Sequence, residues 1–194
     1  MLGRIHQSFV RHRQVVDLVS EQLSSAIAES VDVIVNAIQT EKKIFVMGNG
    51  GSAADAQHFV AELIGRFKVE RRPLPAISLV DNIATLTAIS NDYGFDKVFS
   101  RQIEALARPG DVVFGISTSG SSENVLSALK LASKKGCITF GLLGRDGGAI
   151  GLFVDHPLIV ADDDTARIQE AHITIIHILC ELIEKKLYPS GANV

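Results

Sequence analysis

His58 and Glu62 stand four residues apart in GNGGSAADAQHFVAEL, Gly48 to Leu63. If this stretch is helical, the two side chains leave one face about 6 Å apart. A nitrogen and a carboxylate so placed can reach one metal ion or one substrate carbon. The residues ahead of them, Asn49, Gly50, Gly51 and Ser52, form a glycine-rich turn after the apolar run IFVMG. Glycines let the backbone approach an anion, and the first amides of the following helix point unpaired N–H groups at it. A phosphate cradle one to two turns from a base or metal ligand indicates an enzyme acting on a phosphorylated small molecule.

A second loop of the same kind is GISTSGSSENV, Gly115 to Val125. Ser117, Thr118, Ser119, Ser121 and Ser122 supply hydroxyls around Gly120. Neutral donors satisfy phosphate oxygens without a permanent ion pair. A plain helix cap needs only one such residue. Neither loop is a dinucleotide fingerprint, because Ser52 follows the third glycine directly, and neither carries a Walker lysine.

The last long apolar helix, TARIQEAHITIIHILCELIEKKL, adds Gln169, His172 and His177. On a helix His172 and His177 lie about 140° apart, so one of them is structural. Gln169 and His177 are about 80° apart in angle and about 12 Å apart in rise. They meet one ion only if both lean inward. In SNDYG, Ser90 to Gly94, Asn91 and Asp92 can bind sugar hydroxyls or simply form a turn.

The elements that must position these residues alternate. Residues 5–39 have apolar positions at helical spacing and form one long helix or two. From Lys43 onward, apolar strand runs (KKIFVMG, LPAISLV, DVVFGIST, CITFGLLG, HPLIVA) alternate with helical stretches. Continuous apolar strands between helices predict a parallel sheet covered on both faces, with ligands at the strands' carboxyl ends. No linker or low-complexity segment divides the 194 residues, so one domain over 1–194 with a helical extension over about 1–40 is expected. Apolar residues make up 46%, enough for a full core, and the net charge of -3 argues against a nucleic-acid surface. Cys137 and Cys180 sit in apolar runs as small buried hydrophobes, with no disulfide framework. With no signal-like or membrane-spanning run, a cytoplasmic location is expected.

Taken together, GNGGSAADAQHFVAEL, LPAISL, SNDYGFDKVFSRQ, PGDVVFGISTSGSSENV and ARIQEAHITIIH resemble the phosphoheptose isomerase family, built on a sugar-isomerase (SIS) domain. The resemblance spans nearly the whole chain. The two loops are generic to SIS domains; His58 and Glu62 with Gln169 and His177 are much more specific. It implies an α/β fold, a three-layer αβα sandwich with a central parallel sheet, and N-terminal helices used in oligomerisation. It further implies isomerisation of D-sedoheptulose 7-phosphate to D-glycero-D-manno-heptose 7-phosphate, the first step toward ADP- or GDP-heptose and lipopolysaccharide.

By position, the resemblance places Asn49, Gly50, Gly51 and Ser52 at the sugar and phosphate. It gives the phosphate to Ser117, Thr118, Ser119 and Ser122, and sugar contacts to Asn91 and Asp92. It makes His58, Glu62, Gln169 and His177 zinc ligands, with Glu62 and Gln169 also touching substrate. It implies a homotetramer with sites between subunits. Glu62 is the candidate base and His177 the candidate acid. Some members carry an acid where this chain has Ala166, so no role for an acid there carries over.

Two other readings share the architecture. A non-catalytic SIS protein that binds a replication initiator lacks counterparts of Glu62 and His177. Arabinose 5-phosphate isomerases carry a lysine in the first loop and often appended regulatory domains; neither is present here.

Overall fold

The computed structural model describes residues 1–189. Five strands form one fully parallel sheet in the order β2-β1-β3-β4-β5. They are β1 (Ile44–Gly48), β2 (Ala76–Ser78), β3 (Val112–Ser117), β4 (Ile138–Gly144) and β5 (His156–Val160). Seven α-helices are described: α1 (Leu2–Gln39), α2 (Gly51–Ile64), α3 (Ile83–Tyr93), α4 (Ser100–Leu106), α5 (Glu123–Lys134), α6 (Gly148–Gly151) and α7 (Thr165–Leu187). A 3₁₀ turn covers Phe95–Lys97.

The continuous apolar strands split their side chains between two cores, because successive residues point to opposite faces. Ile44, Val46, Phe114 and Phe140 pack with α1, α2 and α7. Phe45, Met47, Val113 and Leu143 pack with α4, α5 and α6. The result is the expected three-layer αβα sandwich. The order reverses between β1 and β3, whose chains leave for α2 and α5 on opposite faces. That is the switch point at which open parallel sheets leave a crevice for ligands.

The N-terminal region is one 38-residue helix. No residue before Val15 is buried, so its first turns overshoot the core. They are tied back by Arg11 pairing with Asp162, by His12 to Glu170 at 2.7 Å, and by Arg167 donating to the Ser8 carbonyl at 2.8 Å. Among the described residues no helix is long and apolar enough to cross a membrane.

The SNDYG segment differs from a turn. Helix α3 runs on through Ser90, Asn91 and Asp92 to Tyr93. What stops it is Gly94 at φ 91°, a conformation that L side chains rarely adopt. Beyond Gly94 the chain forms the 3₁₀ turn and then α4 in place of one continuous helix. Helix α2 ends at Ile64, with Gly65 as its C-cap.

Candidate active site

Helix α2 buries Ala56, Phe59, Val60 and Leu63, an apolar stripe at helical spacing. Phe59 meets Phe114 of β3 edge-on, ring centroids 5.5 Å apart. That contact fixes the rotation of α2 and turns His58 and Glu62 to its flank, where α7 runs alongside. Gln169 lies against Gly51, and His177 against His58. Seven residues on α2 thus match eight on α7, so the two helices run parallel.

His58 Nε2 is 3.1 Å from Glu62 Oε1 and 3.2 Å from His177 Nε2. Phe67 stacks on the other side of His177, centroids 5.6 Å apart and planes 30° apart. Two imidazole Nε2 atoms facing each other need a proton or a cation between them, since two lone pairs repel. This is a donor pair, with a carboxylate in contact, suited to zinc. The contacts are pairwise. Among the described residues no three His, Cys, Asp or Glu side chains are gathered closely enough to hold a metal ion on their own. Gln169 stands at the start of α2, two turns of α7 before His177. A Cβ on Gly51 would fall 2.3 Å from Gln169 Nε2, so a side chain there would push that carboxamide aside.

His172 is the structural histidine. It is fully buried and its Nε2 donates to the Leu143 carbonyl at 3.0 Å. Burial pushes its pKa down to about 4, opposed only by that hydrogen bond. Cys180 is equally inert: burial, then the neighbouring Glu62 and Glu184 charges, push its thiol up to about 12.

The serine loop leaves β3 for α5. Ser117 Oγ lies 2.9 Å from Ser122 Oγ and 3.3 Å from Ser119 Oγ, a chain of three hydroxyls whose two bonds leave one O–H donor to spare. Ser122 is the N-cap residue of α5 but makes no side-chain cap bond. The plain cap reading is therefore not what these serines do. Gly120, at φ 63°, passes so close to the next loop that a Cβ would lie 2.1 Å from the Gly147 carbonyl oxygen. The two glycine loops are stitched together. Asn49 and Asn124 exchange both amide hydrogen bonds at 2.9 Å, across neighbouring strand ends. Ser52 is buried beside them in the first turn of α2. Asn91 and Asp92 stand apart on the exposed end of α3, bonded to each other at 2.8 Å. No hydrogen bond described in the chain joins them to the other candidate residues.

Sequence reasoning passed over Asp55 and Asn124. Asp55 precedes His58 by one turn on the same flank, a spacing legible in the sequence as Asp55, His58, Glu62 at i, i+3, i+7. Its Oδ2 is buried without a hydrogen-bond partner. Desolvation pushes its carboxyl up to about 6, with His58 pulling the other way. Asn124 carried no signal beyond its place at the start of a helix.

A parallel sheet whose order reverses between β1 and β3, with a hydroxyl-rich loop at the strand ends and a Glu–His–His chain on the flanking helices, defines a SIS-domain protein. The SIS domain model matches residues 9–144. The chain belongs, within that group, to the phosphoheptose isomerase family. It is 60% identical to the phosphoheptose isomerase of Geotalea daltonii over 97% of this chain and 98% of that one. It is 57% identical to that of Citrifermentans bemidjiense over 98% of this chain and 100% of that one. The solved phosphoheptose isomerase of Francisella tularensis superposes with a TM-score of 0.92 at 38% identity, covering 95% of this chain and 98% of that one. The Neisseria gonorrhoeae structure gives 0.90 at 41% identity, with the same coverage. At 20% identity and a TM-score of 0.65, the sugar isomerase domain of an RpiR transcription factor from Sphaerobacter thermophilus shares the fold alone.

Proposed function

We propose that this chain is the aldose–ketose isomerase that converts D-sedoheptulose 7-phosphate to D-glycero-D-manno-heptose 7-phosphate, at the start of ADP- or GDP-heptose supply in the cytoplasm. The observation that carries this reading is the approach of Glu62 and His177 to the one imidazole of His58, at 3.1 and 3.2 Å. Isomerisation moves a proton between C1 and C2 through an enediol(ate), and needs a base that can collect and return it. Glu62 is that base. His177 donates to the sugar oxygen, its ring held in orientation by Phe67. Incubation with sedoheptulose 7-phosphate should yield an aldoheptose phosphate; no product at high enzyme concentration would sink the reading. The initiator-binding alternative is disfavoured because Glu62 and His177 are both present and in contact with His58.

The serine loop holds the phosphate. Ser117, Thr118, Ser119 and Ser122 present hydroxyls, and the uncapped start of α5 presents amides. Ser52, with the Asn49, Gly50 and Gly51 turn, closes the other side, and Asn91, Asp92 and Gln169 contact the sugar. Ser119→Ala combined with Ser122→Ala should raise KM strongly while the fold stays intact. Each lost hydrogen bond to a charged group is worth roughly 1.5–3 kcal/mol. An unchanged KM would remove the loop from the site.

Zinc fits the donor chemistry of His58, Glu62 and His177, and the resemblance adds Gln169, which here lies two turns of α7 away against Gly51. Glu62 and His177 cannot serve as free base and acid at the same instant as they ligate the ion. When bound it would polarise the sugar carbonyl and stabilise negative charge on its oxygen. Purified protein should carry zinc by elemental analysis, and His58→Ala should lose it. Equal zinc in both would show that the ion is held elsewhere.

The site is built for a partner subunit, in a homotetramer. The His58 side chain is 44% exposed in the single chain, too open for chemistry that must exclude water. Leu2, Ile5 and Phe9 stand exposed on the overshooting end of α1, an apolar stripe suited to a second copy. Light scattering at assay concentration should give four times the chain mass. A monomer that retains full activity would overturn the shared site.

A further inference from the structure

We infer that the buried pair Arg71–Glu184 is a positioning device for the catalytic group, acting on Glu62 and His177 at once. The inference rests on the roles given to those two residues above.

The pair is almost solvent-free, with side chains 1% and 3% exposed, and Arg71 Nε donates to Glu184 Oε1 at 2.9 Å. Among the described residues neither charge has another mate, and both are saturated by backbone. Arg71 Nη2 donates to the Glu62 carbonyl at 2.8 Å, and Nη1 to the Leu63 carbonyl at 2.8 Å. These belong to the last turn of α2, whose carbonyls have no partner within the helix. A guanidinium there satisfies them and suits the negative end of the helix. Glu184, for its part, accepts the Phe67 amide at 2.8 Å, the Lys68 amide at 2.8 Å and the Val69 amide at 3.1 Å. Together these bonds draw Glu184 below the usual carboxylate range against the opposing effect of burial.

The consequence follows from what these atoms are attached to. Residue 62 is held by its own carbonyl, which sets where its side chain starts. Phe67 is held by its amide, and its ring lies on His177. Glu184 is on α7 itself, two turns beyond His177. One ion pair therefore locks the end of α2, the 65–72 strap and α7 into a single register, with Glu62 and His177 on either side of His58. Stability alone is a weak reason for such a pair, because buried ion pairs can often be exchanged for apolar residues at no loss. Positioning supplies the reason that stability does not.

The test separates the two roles with three variants assayed on sedoheptulose 7-phosphate. Arg71→Lys keeps the charge but loses the fork that spans two carbonyls. Arg71→Met with Glu184→Leu removes both charges and keeps the volume. Phe67→Leu leaves the pair intact and removes only the ring from half-buried ground, so it keeps the fold. In each, kcat should fall about tenfold to a hundredfold, as small misplacements of reacting groups do, with KM within about twofold because the serine loop is untouched. Melting temperature should stay near wild type for Phe67→Leu, whereas the apolar pair, which leaves the strap amides and the α2 carbonyls unpaired, should melt lower. Wild-type kcat in folded Arg71→Lys and Phe67→Leu would overturn the inference. So would loss of kcat only in proportion to lost melting temperature. Glu62→Gln is assayed alongside: if it is active, the catalytic reading itself has failed. If it is dead while Arg71→Lys and Phe67→Leu run at full rate, the positioning role alone has failed.

Discussion

Glu62→Gln should bind sedoheptulose 7-phosphate with near wild-type affinity and fail to turn it over. The substitution is close to isosteric. The amide oxygen can still meet His58 Nε2, where the carboxylate sits at 3.1 Å, and the backbone carbonyl of residue 62 keeps its bond from Arg71 at 2.8 Å. Phosphate binding sits on a different loop and is not disturbed. What is lost is the ability to accept a proton from carbon at neutral pH. A positioned general base contributes roughly 10²–10⁴-fold, so kcat should drop by that order. The decisive readout is exchange of the substrate's C1 and C2 hydrogens with deuterated solvent, which follows proton removal even when the forward reaction stalls. Exchange and isomerisation at near wild-type rates would show that Glu62 is not the base.

The layer architecture was legible because strand and helix announce themselves by period. IFVMG and VVFGIS are unbroken apolar runs and lie as central strands, while α7 occupies Thr165–Leu187, the whole of the apolar-periodic stretch. The His58/Glu62 pair was legible for the same reason: four residues on a helix is a contact. Angular spacing also said that His172 and His177 could not both face one site. It could not say which was structural, because that depends on Leu143 offering a carbonyl from β4, which only the folded sheet brings near.

What stayed hidden were contacts between residues far apart in the chain. Nothing local marks Arg71 and Glu184 as partners across 113 positions, or Asn49 and Asn124 across 75. Arg71 sits in a run of basic residues that reads as a solvated surface, yet it alone of Arg66, Lys68, Arg71 and Arg72 is buried. The SNDYG segment misled for a different reason. Its turn-forming residues are also tolerated in a last helical turn, and the true stop was Gly94. Asp55 could have been found by extending the His58/Glu62 face one turn back. A carboxylate so placed in an alanine-rich helix carries no mark of its lost solvation until the helix is packed.

The acid sensitivity of the fold should trace in good part to His172. Its pKa is about 4 in the folded protein against 6.5 when free, and burial is the main cause. Above pH 6.5 the ring is neutral in both states and its burial carries no penalty. Between pH 6.5 and about 4 the unfolded chain takes up a proton that the folded chain refuses, so stability falls as pH falls. Below about 4 both states are protonated and the loss is complete. At 1.36 kcal/mol per pH unit, the window is worth about 3 kcal/mol, a large share of an ordinary domain's stability. Glutamine at this position keeps a donor for the Leu143 carbonyl but cannot titrate. Urea unfolding at fixed protein concentration, at pH 7.5 and again at pH 4.5, therefore separates the two contributions. His172→Gln should lose clearly less stability than wild type over that interval, even if it starts lower at pH 7.5 through imperfect packing. Parallel losses in the two proteins would show that carboxylates elsewhere set the acid limit. The buried Glu184 would then be the first to examine, since its contribution also fades as pH falls and it gains its proton.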